Sequence, residues 1–122
     1  MGYNIIKFDL PFLITRGLKY GITEIQEIRA NYYLLDLYEV IQRYLLPNRH
    51  VKQKTICSFL GLEIRDEIDG SEIPSLFEQK KFDKIKEHCK SDIKLTRELY
   101  KLLKPLAEHR LRMRYQIRFE LK

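Results

Sequence analysis

Apolar residues recur at helical spacing along most of the chain, and this recurrence predicts an α-rich protein. The segments expected to be helical are 10–18, 38–46, 51–60, 73–79 and 82–103. Pro47, Gly61 and Pro105 are the expected stops of three of them, because proline lacks the helical donor and glycine favours a helix C-terminus. Residues 22–30 fit either a short helix or a loop, and residues 66–71 a solvated turn.

The same spacing predicts which helix faces are buried. In the 51–60 helix, Ile56 and Phe59 should point inward. The longest helix should bury a stripe that begins at Phe82, passes through Cys89, Ile93 and Leu99, and continues to Leu103.

Three segments have strand character. Residues 3–6 and 32–37 are short, nearly continuous apolar runs that suit buried strands. From residue 111 the pattern is strict alternation, with Leu111, Met113, Tyr115, Ile117, Phe119 and Leu121 opposite Arg112, Arg114, Gln116, Arg118 and Glu120. Period two predicts a half-buried strand over 111–121, which either closes a small sheet or pairs at its edge with a second copy in a homodimer.

The composition predicts a single soluble domain, residues 1–122. Hydrophobic residues make up 44% and charged residues 33%, and no apolar run has the length of a membrane helix. The chain shows no export signal, so we expect a cytoplasmic protein with no membrane partner and with Cys57 and Cys89 as reduced, half-buried thiols. The net charge of +6 is compatible with a polyanionic partner.

The opening segment, residues 2–13, reads GYNIIKFDLPFL. From the residues alone, Asp9 ahead of Pro11 can cap the following helix. The segment also resembles the second motif of DEDD-type 3′-5′ exonucleases. That resemblance implies an RNase H-like fold in which Asp9 binds a catalytic metal and Asn4 and Phe8 contact nucleic acid, Phe8 near the terminal nucleotide.

A second segment, residues 85–100, reads IKEHCKSDIKLTRELY and resembles the third exonuclease motif. With its lead-in at 60–77, it is most similar to predicted exonucleases related to the proofreading domain of family B DNA polymerases, in which a tyrosine stands where this chain has His88. The resemblance implies that Asp92 is a metal ligand. His88 and Asp92, four residues apart, share a helix face, so His88 either handles a water proton or forms an incidental surface pair.

The remaining candidates have simpler interpretations. Asp36 is expected to be the N-cap of the helix that follows it, although related exonucleases often carry an Asp in this context. His50 and His109 show no partner pattern and are expected at the surface.

The family takes two further metal ligands from an Asp-x-Glu strand, and the chain contains no Asp-x-Glu. The resemblance covers about residues 2–104 and corresponds to the C-terminal part of the family's domain, so that strand would precede residue 1. We therefore expect an α-rich α/β protein with a truncated RNase H-like fold, a small sheet and a long helix. It should act on nucleic acid, with a single-stranded DNA 3′ end favoured, and bind Mg²⁺ or Mn²⁺ weakly. Activity should need a second polypeptide that supplies the Asp-x-Glu strand.

The alternative is a non-catalytic nucleic-acid-binding or assembly module derived from the same fold. In it, Arg112, Arg114 and Arg118 would face phosphates, although three like charges on alternate positions also describe an ordinary solvated face.

Overall fold

A computed structural model describes the backbone of residues 1–120 and the side chains of residues 1–113. Its α-helices are α1 (Leu10–Lys19), α2 (Glu27–Asn31), α3 (Leu37–Tyr44), α4 (Gln53–Phe59), α5 (Ile73–Glu78) and α6 (Phe82–Glu120). A π-helical turn covers Ile5–Asp9, and 3₁₀ turns cover Glu24–Gln26 and Gly70–Glu72. The α-rich prediction is confirmed. None of the described helices has the length and apolar character to cross a membrane.

The chain divides into two compact units. The first contains Met1–His50 together with the chain from Leu103 onward, and the second is Val51–Leu102. The core of the first unit consists of Leu10, Leu37, Tyr38, Val40, Ile41, Leu103 and Ala107. The second unit buries Ile56, Cys57, His88, Leu95 and Leu99.

The predicted strands at 3–6 and 32–37 are not formed. Among residues 1–120 the only β-pairing is one isolated parallel bridge between Gly2 and Asp36, so the predicted small sheet is not found in that part of the chain. The pairing stops because Asn4 adopts a left-handed conformation with φ of 57°, and the backbone then enters the π-helical turn.

Asp36 holds this arrangement together from a buried position. Its Oδ1 accepts hydrogen bonds from the backbone N–H of Asn4 at 2.7 Å and of Tyr38 at 3.0 Å, and its Oδ2 accepts from the N–H of Ile6 at 3.1 Å. The N-cap prediction for Asp36 is therefore confirmed, because the Tyr38 bond caps α3. The same carboxylate also accepts hydrogen bonds from the backbone N–H groups of Asn4 and Ile6.

Two predicted helix faces are right only in part. On α4, Ile56 is buried as predicted, but Phe59 is 83% exposed and Cys57 is buried in its place.

On α6, Leu99 and Leu103 are buried as predicted, whereas Phe82, Cys89 and Ile93 are exposed. His88, one residue before the predicted position at Cys89, is buried instead. The buried positions therefore keep helical spacing at the C-terminal end of the stripe and shift by one residue near its start.

The predicted strand at 111–121 is also wrong, since α6 continues through Pro105 to Glu120. Extending an existing helix is easier than nucleating a new element, and Leu, Arg, Met, Gln and Glu are good helix formers. Pro105 removes one hydrogen-bond donor without ending the helix. No strand edge for a homodimer exists over 111–120, and residue 121 lies outside the described residues.

Candidate metal centre

Three side chains of the second unit converge on a small polar cluster: Asp66, His88 and Asp92. His88 Nδ1 lies 2.5 Å from Asp66 Oδ2, and His88 Nε2 lies 3.3 Å from Asp92 Oδ2. One potential ligand atom from each residue lies within 4.8 Å of the other two. His88 is 7% exposed, so its pairing with Asp92 is not the incidental surface contact that was one of the two predicted alternatives.

Asp66 is the member of the cluster that sequence reasoning missed. The sequence predicts a solvated turn at residues 66–71, yet only 9% of the Asp66 side chain is exposed. The loop before it alternates, with Leu62, Ile64, Asp66 and Ile68 half-buried and the residues between them exposed. This period-two pattern was the available signal, because it places Asp66 on the inward side among three apolar residues.

Lys54 on α4 anchors the loop that carries Asp66. Its Nζ lies 3.2 Å from Asp66 Oδ2, donates to the Asp66 carbonyl at 3.2 Å, and also donates to the carbonyl of Ile68. The loop backbone adds an internal bond, since the Ile68 N–H donates to Asp66 Oδ1 at 3.1 Å. The Asp66 carboxylate is therefore held from three directions.

A second chain of hydrogen bonds connects α4 to the turn of α6 that bears Asp92. Gln53 Nε2 donates to Thr96 Oγ1 at 2.6 Å, and Thr96 Oγ1 donates to the carbonyl of Asp92 at 2.8 Å. Neighbouring residues of α4, Gln53 and Lys54, thus position the two carboxylate-bearing segments.

The two carboxylates have opposite electrostatic environments. Burial raises the pKa of Asp92, and the nearby charges of His88 and Lys54 only partly offset that effect. Burial also acts to raise the pKa of Asp66, but the hydrogen bonds from the Ile68 N–H, His88 and Lys54 outweigh it and lower that pKa. Asp66 is thus a compensated anion, whereas Asp92, whose side chain is 44% exposed, receives less compensation from its protein neighbours.

A cleft of about 290 Å³ gives access to both carboxylates. Its lining includes four acidic residues, Glu63, Asp66, Asp92 and Glu98, and three basic residues, Lys54, Arg65 and Lys94. The cleft therefore combines carboxylates that suit a cation with basic groups that suit a phosphate.

The donor set fits a divalent ion. Carboxylate oxygens suit Mg²⁺ and Mn²⁺, and an imidazole nitrogen extends the range to Mn²⁺ and Zn²⁺. Two carboxylates face one lysine in this cluster, so an added cation would reduce the excess negative charge.

Three further predicted site residues come from the start of the chain. Asp9, Asn4 and Phe8 belong to the first unit. Asp9 is exposed, and its side chain makes no capping hydrogen bond within the described part of the chain, so the predicted cap is not formed. Phe8 is 63% exposed, and the buried Oδ1 of Asn4 has no hydrogen-bond partner among the described residues.

The C-terminal arginines are described in part. Arg112 is exposed, whereas the side chains of Arg114 and Arg118 lie outside the described residues. The other two histidines are exposed, as predicted, but each has a tyrosine partner. His50 Nδ1 lies 2.9 Å from the Tyr38 hydroxyl, and His109 Nδ1 lies 2.6 Å from the Tyr44 hydroxyl.

Comparison with known proteins gives one family and one relative. The profile of a family described as a predicted 3′-5′ exonuclease related to the exonuclease domain of PolB matches residues 1–119. An uncharacterized protein of Methanocaldococcus jannaschii is 36% identical over 117 residues, covering 84% of this chain and 62% of that protein. The chain thus spans less than two thirds of this relative's length. No solved structure matches the chain.

Proposed function

Because the chain belongs to the family of predicted 3′-5′ exonucleases related to the exonuclease domain of PolB, we propose that it takes part in divalent-metal-dependent hydrolysis of nucleic-acid 3′ ends. The observation that carries the proposal is the Asp66, His88 and Asp92 cluster. It lies within the matched residues, and His88 and Asp92 belong to the segment that resembles the third exonuclease motif.

In this proposal Asp92 and Asp9 are ligands of Mg²⁺ or Mn²⁺. The raised pKa of Asp92 supports its role, because a bound cation would compensate a carboxylate that its surroundings leave under-compensated. When bound, the metal supplies Lewis-acid polarisation of a phosphoryl oxygen and activation of water. His88 Nδ1 lies 2.5 Å from Asp66 Oδ2 and its Nε2 lies 3.3 Å from Asp92 Oδ2, so the ring stands between the two carboxylates.

Basic residues stand among the carboxylates of the cleft, and once a cation offsets those carboxylates they support a phosphodiester substrate. Lys54, Arg65 and Lys94 flank the two carboxylates. Cations beside a metal site neutralise the phosphate that approaches it and orient its oxygens. Asn4 and Phe8 are proposed contacts for the terminal nucleotide.

We further propose that the metal site is completed from outside these residues. The 122 residues contain no Asp-x-Glu, and Asp9 and Asp92 by themselves offer too few carboxylates for a pair of metal ions. A further segment or polypeptide would supply an Asp-x-Glu strand and, with it, the sheet of an RNase H-like fold. Without that strand, the chain should bind metal weakly and hydrolyse little or no nucleic acid.

The test separates metal binding from hydrolysis. The electron paramagnetic resonance signal of free Mn²⁺ should fall when the wild-type chain is added, and Asp92→Asn should restore it. Glu87→Gln removes an exposed carboxylate from the same helix and should behave as wild type. Equal Mn²⁺ binding by wild type and Asp92→Asn would show that Asp92 is not a ligand.

Hydrolysis is assayed on 5′-labelled single-stranded DNA with Mg²⁺ or Mn²⁺. The chain by itself should leave the DNA intact, and a polypeptide carrying the Asp-x-Glu strand should produce stepwise shortening from the 3′ end. Robust degradation by the chain alone, abolished by Asp9→Ala, would contradict the proposal that its metal site is incomplete. It would still support exonuclease activity.

The second candidate function is a non-catalytic nucleic-acid-binding module. The exposed Arg112 on α6 favours it, because an arginine in solvent can contact phosphate. DNA binding that persists without hydrolysis, even when an Asp-x-Glu strand is supplied, would identify this function.

A further inference from the structure

We propose that one exposed face of α1 and the turn before it binds single-stranded nucleic acid along its length. The surface, called here the basic–aromatic stripe, consists of Phe8, Phe12, Arg16, Lys19 and Tyr20. The choice of single-stranded nucleic acid as the ligand rests on the proposed function. The surface itself extends well beyond Phe8, the one member that the exonuclease resemblance identifies.

Helical spacing places these residues on one side. Phe8, Phe12, Arg16 and Tyr20 follow one another at intervals of four, and Lys19 lies on the same side. The opposite side is occupied by Leu10 and Gly17, which are both buried. The stripe therefore faces away from the core of the first unit, and at helical rise it is about 18 Å long.

All three aromatic rings are largely in solvent. Phe8 is 63% exposed, Phe12 is 54% exposed and Tyr20 is 64% exposed. Aromatic rings this exposed contribute little to the core, and several of them on one surface indicate a binding function.

The contacts within the stripe keep the rings and charges together. The rings of Phe8 and Phe12 are nearly parallel, with an interplanar angle of 12° and centroids 6.3 Å apart. At the other end, the Arg16 guanidinium lies 6.0 Å and the Lys19 ammonium 5.8 Å from the centroid of the Tyr20 ring. The stripe thus presents a pair of parallel rings followed by a ring flanked by two cations.

This combination favours a single-stranded polyanion over a second copy of the chain. Flat rings offer stacking surfaces for unpaired bases, and cations at the same spacing neutralise the phosphates between them. Residues 1–23 carry the cations Lys7, Arg16 and Lys19 against one acid, Asp9. A self-association surface would bring these like charges together, which disfavours it.

Binding is measured by fluorescence anisotropy of a labelled oligothymidylate with EDTA present, so that hydrolysis plays no part. Phe12→Ala should weaken binding by about fivefold or more, the loss expected for one stacked base. Phe12→Tyr keeps a ring and should bind as wild type. Phe59→Ala removes a ring that is 83% exposed in the second unit and serves as the matched control.

A second experiment tests the charges of the stripe with a double variant that combines Arg16→Gln and Lys19→Gln. Between about 50 and 200 mM salt, the double variant should lose about 1.4 from the slope of log affinity against log salt, since each phosphate contact on a single strand contributes about 0.7. Arg43→Gln, an exposed arginine of α3, should leave this slope within about 0.7 of wild type. Circular dichroism confirms that each variant is folded.

Each outcome has one meaning. Oligonucleotide binding that is unchanged in Phe12→Ala and in the charge variant overturns the stripe but leaves the proposed hydrolysis intact. Binding through the stripe without hydrolysis in the completed system overturns the proposed function and leaves the stripe. No binding by the wild-type chain overturns the stripe, and a sedimentation change in Phe12→Ala would then identify the surface as a protein interface.

Discussion

Nδ1 of His88 lies 2.5 Å from Oδ2 of Asp66, a residue 22 positions earlier in the chain. This contact joins a helix to an irregular loop, and it fixes the ring whose other nitrogen faces Asp92. The His88 ring can remain buried because each of its two nitrogens faces a carboxylate oxygen. The contact also links the stability of the second unit to its candidate site.

Asp66→Asn should cost more stability at neutral pH than at about pH 2. The folded-state pKa of Asp66 is lowered from 3.8, so its stabilising contribution is present above that value and is lost as the pH falls through the folded-state pKa. Urea unfolding of wild type and variant at both pH values measures the difference. An equal cost at both values would show that the Asp66 charge does not stabilise the fold.

Asp92→Asn should show the opposite sign in the same experiment. The pKa of Asp92 is raised above 3.8 by burial, so its contribution is present at low pH and is lost as the pH rises through the folded-state pKa. At neutral pH, without metal, the variant should be as stable as wild type or more stable. A large loss of stability there would mean that the ionised Asp92 is well compensated in the folded protein.

Asp36→Ala should destabilise the first unit by about 3 kcal/mol or more, because three backbone donors lose their acceptor. Asp36→Asn keeps one acceptor oxygen and should fall between the alanine variant and wild type. Asp9→Ala is the matched control and should change stability by about 0.5 kcal/mol at most, since Asp9 caps nothing in the described residues. Denaturant unfolding gives all three values.

Leu99→Ala should cost about 2–5 kcal/mol, because it empties a fully buried position on α6. Ile93→Ala on the same helix should change stability by about 0.5 kcal/mol at most, since Ile93 is 64% exposed. The stripe predicted from the sequence contains both residues, so similar losses in the two variants would support it and contradict the exposure of Ile93.

The two thiols should react at very different rates. Cys89 is exposed, whereas Cys57 is fully buried and its burial raises its pKa to about 11, so little thiolate is present at moderate pH. A thiol reagent should modify one cysteine quickly and the second only after denaturant is added. Cys89→Ser should remove the fast phase, and a fast phase that remained would contradict the burial of Cys57.

Much of the helix content was predictable from spacing, because a helix depends mainly on local pattern. The predicted helices at 10–18, 38–46 and 73–79 agree with α1, α3 and α5 to within about two residues. The exonuclease resemblance, which rested on two short motifs, is confirmed by a match over residues 1–119. Short motifs carry this information because their chemistry requires particular residues at particular spacings.

The wrong strand at 111–121 shows that period two does not by itself specify a strand. At 111–120 the alternating segment continues a helix, and at 62–68 the alternation is real but the loop has no strand partner among residues 1–120. A strand forms only when its backbone hydrogen-bonds to a neighbouring strand, and that partner can lie far away in the sequence. Asp66 was missed for the same reason, because its role depends on His88 and Lys54.

The three donors on Asp36 have a consequence for how the first unit opens. The amide hydrogens of Asn4, Ile6 and Tyr38 converge on one carboxylate across about thirty residues of chain. If any of them is to exchange with solvent, the Asp36 side chain must release the segment that it holds. We therefore expect these amides to exchange together, so that the opening motif and the start of α3 form one cooperative foldon.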